Sequence, residues 1–288
     1  MKVIQITDTH FSPEKTHFNG NWAPLLTWIE DQKADLIIHT GDLSVDGADH
    51  GQDITFSMDL MRQVSTPMLV IPGNHDVGHL PGFHQPVNAE RLQRWRDLTG
   101  GDRFIEDANG WRFIGFNALL LGHEDEEEEA QFEWLRTAFE ERNGRRLALF
   151  SHKPLFVDAP DEGDTGYWGF RPAQRKRLFD LMAGHDVALF ASGHLHWAWK
   201  GKFENTSIVW GPSAAFVIDT LEREMPGERL IGAVVHQFGD EVTSDIVTVP
   251  GMTAHYIDDV IHEVYPQAVP KGGRAAKSLR RTAEEAAE

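Results

Sequence analysis

A short apolar run, Val3–Thr7, opens the chain. Similar runs recur at Leu36–Thr40, Met68–Ile71, Phe113–Phe116, Leu147–Phe150 and Val187–Ala191. They are rich in β-branched residues and mostly continuous rather than alternating. Runs of this kind are expected of strands covered on both faces. Between some of them the apolar positions recur at helical spacing, over Trp22–Gln32, Thr55–Val64, Ala130–Glu141 and Pro172–Ala183. Strands alternating with helices imply βαβ units and an α/β fold. The later segments Ser207–Trp210, Leu230–Gln237 and Val242–Val249 read as an antiparallel meander. The pattern therefore predicts two mixed β-sheets packed as a sandwich and flanked by helices.

Two stretches break this rhythm. Residues 77–109 carry Pro81, Pro86 and a helical piece around Glu90–Leu98, and form a candidate cap over a site. Glu124–Glu129 is an acidic run, read as a solvated loop leading into the helix that starts near Ala130. Consecutive carboxylates do not converge on one point, so the run is not read as a metal site. From residue 266 onward the chain is rich in Ala, Lys, Arg and Glu. Residues 1–265 are taken as one domain and 266–288 as a C-terminal tail.

Composition narrows the chemistry. The 288 residues are 41% hydrophobic and 25% charged, ordinary for a globular enzyme. No apolar run approaches the roughly 18–20 residues that span a bilayer, and no secretory pattern precedes Val3. A cytoplasmic location with no membrane partner is expected. There are no cysteines, so disulfides, thiolate metal sites and a cysteine nucleophile are excluded, while fifteen histidines remain available. The formal net charge of −18 repels polyanions, so no nucleic acid polymer is expected as a partner. A small phosphorylated substrate is still compatible, because bound cations reverse the local field.

Five motifs follow in order, each just past a predicted strand: Asp8-Thr9-His10, Gly41-Asp42, Gly73-Asn74-His75-Asp76, Ser151-His152 and Gly193-His194-Leu195-His196. Ligands bind at that end of the strands in α/β sheets. Singly, each motif is more often a turn, a polar loop or a strand end. Together and in this order they point to a metal centre. Asp8 and His10 supply an oxygen and a nitrogen, and the two oxygens of Asp42 suit a bridge between two ions. Asn74 adds a carbonyl oxygen, and His152, His194 and His196 add imidazoles. This mixed set favours two divalent transition-metal ions, Mn, Fe, Co or Zn, over Ca or Mg. Two carboxylates and a bridging hydroxide against two divalent ions leave a slightly positive cluster, suited to a phosphate ester. His75 is assigned to phosphate binding and protonation of the leaving oxygen, on the premise that adjacent loop residues point apart. Asp76 either orients His75 or caps a turn.

The same ordered motifs resemble those of the calcineurin-like metallophosphoesterase superfamily over roughly residues 1–215. The resemblance implies a four-layer αββα sandwich. It implies one metal held by Asp8, His10, Asp42 and His196, a second held by Asp42, Asn74, His152 and His194, and His75 as the catalytic histidine. Chain length and motif spacing look most like the bacterial cyclic nucleotide phosphodiesterase and glycerophosphodiesterase branch. The expected activity is hydrolysis of small phosphodiesters, cyclic nucleotides first, by attack of a metal-bridging hydroxide. The alternatives are a phosphomonoesterase acting on a small phosphorylated metabolite and, with little weight, a non-catalytic scaffold on the same fold.

Around the motifs, Tyr167, Trp168 and Phe170 are candidate walls for a flat leaving group, and Arg171 either binds phosphate or pairs with an acidic loop. Few Lys or Arg residues lie close to the motifs, Lys153 and Arg171 being the main ones, which favours diesters. His17 and Asn21 are candidate rim residues, and His79 and His84 lie in the cap segment within conceivable reach of substrate. A homo-oligomer built through the cap or the C-terminal segment is compatible with the sequence.

Overall fold

The computed structural model describes residues 1–219 and 223–266. The first half contains β1 (Lys2–Ile6), α1 (Trp22–Gln32), β2 (Leu36–His39), α2 (Gly51–Met61), β3 (Met68–Val70), α3 (Asn74–Val77), α4 (Ala89–Thr99), β4 (Phe104–Ala108) and β5 (Trp111–Gly115). Next come α5 (Glu126–Glu140), β6 (Arg146–Phe150), α6 (Pro172–Met182), β7 (Val187–Ser192), β8 (Trp199–Phe203) and β9 (Thr206–Trp210). The last are β10 (Phe216–Val217), β11 (Ala233–Phe238), β12 (Val242–Val247), β13 (His255–Tyr256) and α7 (Ile257–Val264).

One sheet has the order β12-β11-β1-β2-β3 and the other the order β4-β5-β6-β7-β9-β8. Their middles are parallel: β1 with β2 and β2 with β3, then β5 with β6, β6 with β7 and β7 with β9. Their margins are antiparallel, at β11–β12, β1–β11, β4–β5 and β8–β9. A third, two-stranded pair joins β10 to β13.

Side-chain parity explains why the central runs are apolar throughout. In β1 Val3 packs between the sheets, whereas Ile4 and Ile6 face Trp22, Leu25 and Ile29 of α1. In β6 Ala148 and Phe150 pack between the sheets, whereas Leu147 and Leu149 face Leu135 and Phe139 of α5 and Leu178 of α6. Each strand thus feeds two apolar interfaces, as period-2 alternation requires. The result is the expected four layers, with helices outside two mixed sheets. No helix among the described residues is long and apolar enough to cross a membrane.

Several expectations are revised. The three late segments are not one meander: β9 sits beside β7, while β11 and β12 extend the opposite sheet from β1. The acidic run is not a loop but the first turn of α5. Asp125 caps it by accepting from Glu128 N–H at 3.0 Å, and the Glu128 carboxylate accepts from Gly122 and Glu124 N–H. Carboxylates at a helix N-terminus meet the exposed N–H groups and the positive end of the dipole. Most of 77–109 is no cap either. Leu92 and Trp95 of α4 are buried in the core, and β4 joins the second sheet. Apart from Pro266, the tail lies outside the described residues.

Candidate metal centre

Loops leaving β1, β2, β3, β6 and β7 meet at one end of the sandwich, and both sheets contribute. Five of the seven candidate ligands, Asp8, His10, Asp42, His194 and His196, have φ between 45 and 71°. Non-glycine residues avoid this left-handed region, at a cost of about 1–3 kcal/mol each where it is strained. Such a concentration of backbone strain marks a site whose geometry the surrounding structure imposes. The glycines are needed for close approach. A Cβ on Gly73 would stand 2.1 Å from Asp42 Oδ1, and one on Gly193 would stand 2.0 Å from Thr7 Oγ1 and 2.6 Å from Asp8 Oδ2.

The side chains form two triads whose ligand atoms converge, Asp8–His10–His196 and Asp42–His152–His194. In the first, Asp8 Oδ1 lies 3.3 Å from His196 Nε2 and 3.9 Å from His10 Nε2. In the second, Asp42 Oδ2 lies 3.2 Å from His152 Nε2. The same oxygen is 3.9 Å from His10 Nε2, so Asp42 stands between the triads. Asn74 Oδ1 reaches His152 Nε2 at 3.2 Å. His75 faces this cluster as well, forming a further group with His10 and Asp42. The premise that Asn74 and His75 diverge therefore fails. They open the single turn of α3, and the His75 N–H is held by Asp42 Oδ1 at 2.8 Å.

Each imidazole of the two triads is fixed through its other nitrogen. His152 Nδ1 donates to the Thr40 carbonyl at 2.8 Å, His196 Nδ1 to the Phe216 carbonyl at 2.8 Å and His194 Nε2 to the Tyr167 carbonyl at 3.0 Å. A carbonyl only accepts, so the tautomers are set and the remaining nitrogens turn to the cluster, as metal-ligating histidines require. His10 Nδ1 meets the Tyr265 hydroxyl at 2.7 Å.

The residues fit a pair of cations. Asp8 and Asp42 are 0% and 2% exposed, and such carboxylates are costly without compensating positive charge. Asp8 Oδ2 accepts from Thr7 Oγ1 and His194 N–H, but buried Oδ1 has no hydrogen-bond partner and faces the cluster. Electrostatics agree. Burial raises the Asp8 pKa, yet His196, whose Nε2 lies 3.3 Å from Oδ1, holds it well below the usual range. Burial opposes ionisation of Asp42 too, but His152 and His75 hold its pKa far down. Burial disfavours protonated His152, yet Asp42 outweighs it and raises that pKa to about 9. Burial depresses His10, His75 and His194, which leaves neutral imidazoles with one lone pair and one N–H each.

A cleft of ≈ 360 Å³ opens over this centre. Tyr167, Trp168, His79, Phe83 and His84 form one side, and Phe216, Ile218, Ile257, Ile261 and Tyr265 the other. Of the 77–109 segment, only His79, Phe83, His84 and Gln85 line it. Tyr167 is more than a wall. Its hydroxyl accepts from Asn74 Nδ2 at 3.0 Å, which turns the Asn74 oxygen to the cluster, and its ring stacks on His79 at 4.8 Å.

Arg171 is a correction. It does not line the cleft; its guanidinium points to the Gly122 carbonyl and to Asp164 Oδ2 at 3.8 Å. His17 and Asn21 are also off the rim. His17 pairs with Glu263, and buried Asn21 binds the Ala214 and Thr253 backbone. Asp76 resolves as a structural clamp. It accepts from Gly73, Leu43 and Ser44 N–H, tying the Asp42 loop to the Asn74 turn. Lys153 is buried, with Nζ 3.5 Å from His79 Nε2. The cleft wall from Phe216 to Tyr265 was missed. Ile257, Val260, Ile261 and Val264 at helical spacing signalled α7, but no local pattern marks Tyr265 as a neighbour of His10.

Two mixed sheets with carboxylate, amide and imidazole ligands at their shared strand ends define a metal-binding hydrolase scaffold. The chain belongs to the calcineurin-like phosphoesterase family, whose sequence model matches residues 1–198. Among curated relatives, the serine/threonine-protein phosphatase CPPED1 of Pongo abelii is 28% identical over 52% of this chain and 50% of its own length. The chain thus spans about half the length of such relatives. The 3',5'-cyclic adenosine monophosphate phosphodiesterase CpdA of Pseudomonas aeruginosa is 26% identical over 91% of this chain and 92% of its own. A solved dimetal phosphatase from Danio rerio shares the fold, with a TM-score of 0.56 at 14% identity over 86% of this chain and 99% of that one.

Proposed function

We propose that residues 1–265 form a metal-dependent phosphodiesterase that hydrolyses small phosphodiesters, with a cyclic nucleotide as the leading substrate. The observation that carries the diester reading is the cleft lining. Among the described residues it holds aromatic and aliphatic walls and no Lys or Arg. A monoester brings a second negative charge, which cationic side chains usually neutralise. A diester brings one charge and a second ester group, which suits apolar walls. The CpdA likeness supports the same substrate class, and a cytoplasmic setting belongs to this reading.

Asp8, His10 and His196 would hold one cation, and Asn74, His152 and His194 the other, with Asp42 between them. Bound Mn, Fe, Co or Zn ions would supply charge neutralisation at the phosphoryl group and activation of water. The chain's own groups do the rest. The carbonyls of Thr40, Tyr167 and Phe216 hold three imidazoles in ligand tautomers. His75 opens on the cleft beside His10 and Asp42, where the N–H of its neutral imidazole would hold a phosphoryl oxygen and, once it takes up a proton, it would pass that proton to the leaving oxygen. Tyr167 and Trp168 pack against the leaving group and exclude water.

A monoesterase is the second reading, favoured by the CPPED1 relatives, whose name denotes a phosphatase. The two separate when metal-stripped, Mn-reloaded protein is assayed on bis-p-nitrophenyl phosphate, p-nitrophenyl phosphate and cyclic AMP. Diester turnover should exceed monoester turnover. A monoester-to-diester rate ratio far above unity overturns the diester reading.

A further inference from the structure

Three of the four triad imidazoles are held by backbone carbonyls at or near the strand ends and the Tyr167 loop. His10 is the exception. Its Nδ1 meets a side-chain hydroxyl, that of Tyr265, 255 positions away in sequence. Tyr265 immediately follows α7, beyond the part of the chain that the family model matches. It is 6% exposed, and its ring lies against His75 with centroids 4.5 Å apart.

With a cation held by the Nε2 lone pair, the His10 proton would reside on Nδ1 and be donated to the Tyr265 oxygen. His10 is fully buried, so without that oxygen the Nδ1–H would have no acceptor and the ring would lose its rotational lock. The lock depends on how α7 is seated. Ile257, Val264 and Tyr265 pack against Phe18, Val45 and Phe216. Lys15 Nζ donates to the Val264 carbonyl at 2.8 Å and fixes the last turn.

We propose that Tyr265 is a positioning residue of the metal centre, so that seating of α7 sets the metal affinity of the Asp8–His10–His196 triad separately from its neighbour. The inference rests on the metal reading of the site. Outer partners of ligating histidines are commonly worth about 10–100-fold in metal affinity.

Tyr265→Phe keeps the ring against His75 and removes only the hydroxyl. Mn²⁺ and Co²⁺ are titrated into metal-free wild type and variant by calorimetry, with the Co²⁺ visible spectrum recorded at each step. Wild type should show two binding steps. In the variant one step should weaken by about 10–100-fold with a changed Co²⁺ spectrum, and the other should stay at the wild-type value. Two steps with wild-type affinity, or equal weakening of both, overturn the inference while leaving the metal centre intact. A wild type that binds no metal overturns the metal reading itself and the inference with it.

Discussion

The two flanks of the candidate metal centre use the same device from different places. On one flank Tyr167 fixes Asn74 through its hydroxyl and His194 through its carbonyl. On the other Tyr265 fixes His10 through its hydroxyl. The Tyr167 loop lies between β6 and α6, close in sequence to His152. The Tyr265 flank arrives with the last described helix. One half of the centre is therefore assembled by the strand-end loops themselves, and the other is completed by a distant element. Ligand identity is local to the motifs, but ligand orientation is not.

The largest effect should come from the residue shared by both flanks. Asp42→Ala should lower turnover by more than the about 10²–10³-fold that one transition-state hydrogen-bond donor is worth, in a protein that still melts cooperatively. A steady-state assay alongside a thermal melt checks this. A change beneath both flanks should do the reverse. Phe150→Ala opens a cavity between the sheets and should cost about 3–5 kcal/mol in denaturant unfolding, with kcat per folded molecule preserved. If kcat falls as well, the floor and the flanks are not separable.

Tyr167→Phe tests the near flank alone. It removes the acceptor for Asn74 Nδ2 and keeps the carbonyl that holds His194. Metal affinity at the Asp42–His152–His194 triad should drop by about 10-fold in calorimetry, the lower end for an outer partner.

The smallest effect lies outside both flanks. His236 is buried in β11, with Ser244 Oγ at 2.7 Å from Nδ1 and Gln5 Oε1 at 3.2 Å from Nε2. Burial lowers its pKa to about 3, against 6.5 when unfolded. Below pH 6.5 the unfolded chain takes up a proton that the folded chain refuses. Stability from this group is complete above pH 6.5 and is lost down to about pH 3, with a slope of at most about 1.4 kcal/mol per pH unit. His236→Gln should flatten that part of the acid limb in unfolding curves measured across pH, and leave metal binding on both flanks unchanged.

What could be read from the sequence follows the same division. Runs such as Val3–Thr7 and Leu147–Phe150 show as strands because each buries both faces. The candidate ligands stood out because each follows such a run directly. The acidic stretch misled because Glu126–Glu129 suit a loop and a helix start equally until the Asp125 cap is seen. The late strands misled because spacing along the chain does not say which sheet receives them: β9 and β11 are near in sequence and lie in different layers. Sequence left Arg171 two roles, phosphate contact or partner of an acidic loop, and only the folded positions of Asp164 and the Gly122 carbonyl decide for the second. Tyr265 was invisible because only tertiary docking brings it to His10.

The central claim, that the strand-end loops hold two cations side by side, is tested most directly by anomalous scattering from Mn²⁺-loaded crystals. The account predicts two peaks, one among Asp8, His10 and His196 and one among Asn74, His152 and His194, with Asp42 touching both. No peak within this cluster at saturating Mn²⁺, or manganese bound only elsewhere on the molecule, would contradict it.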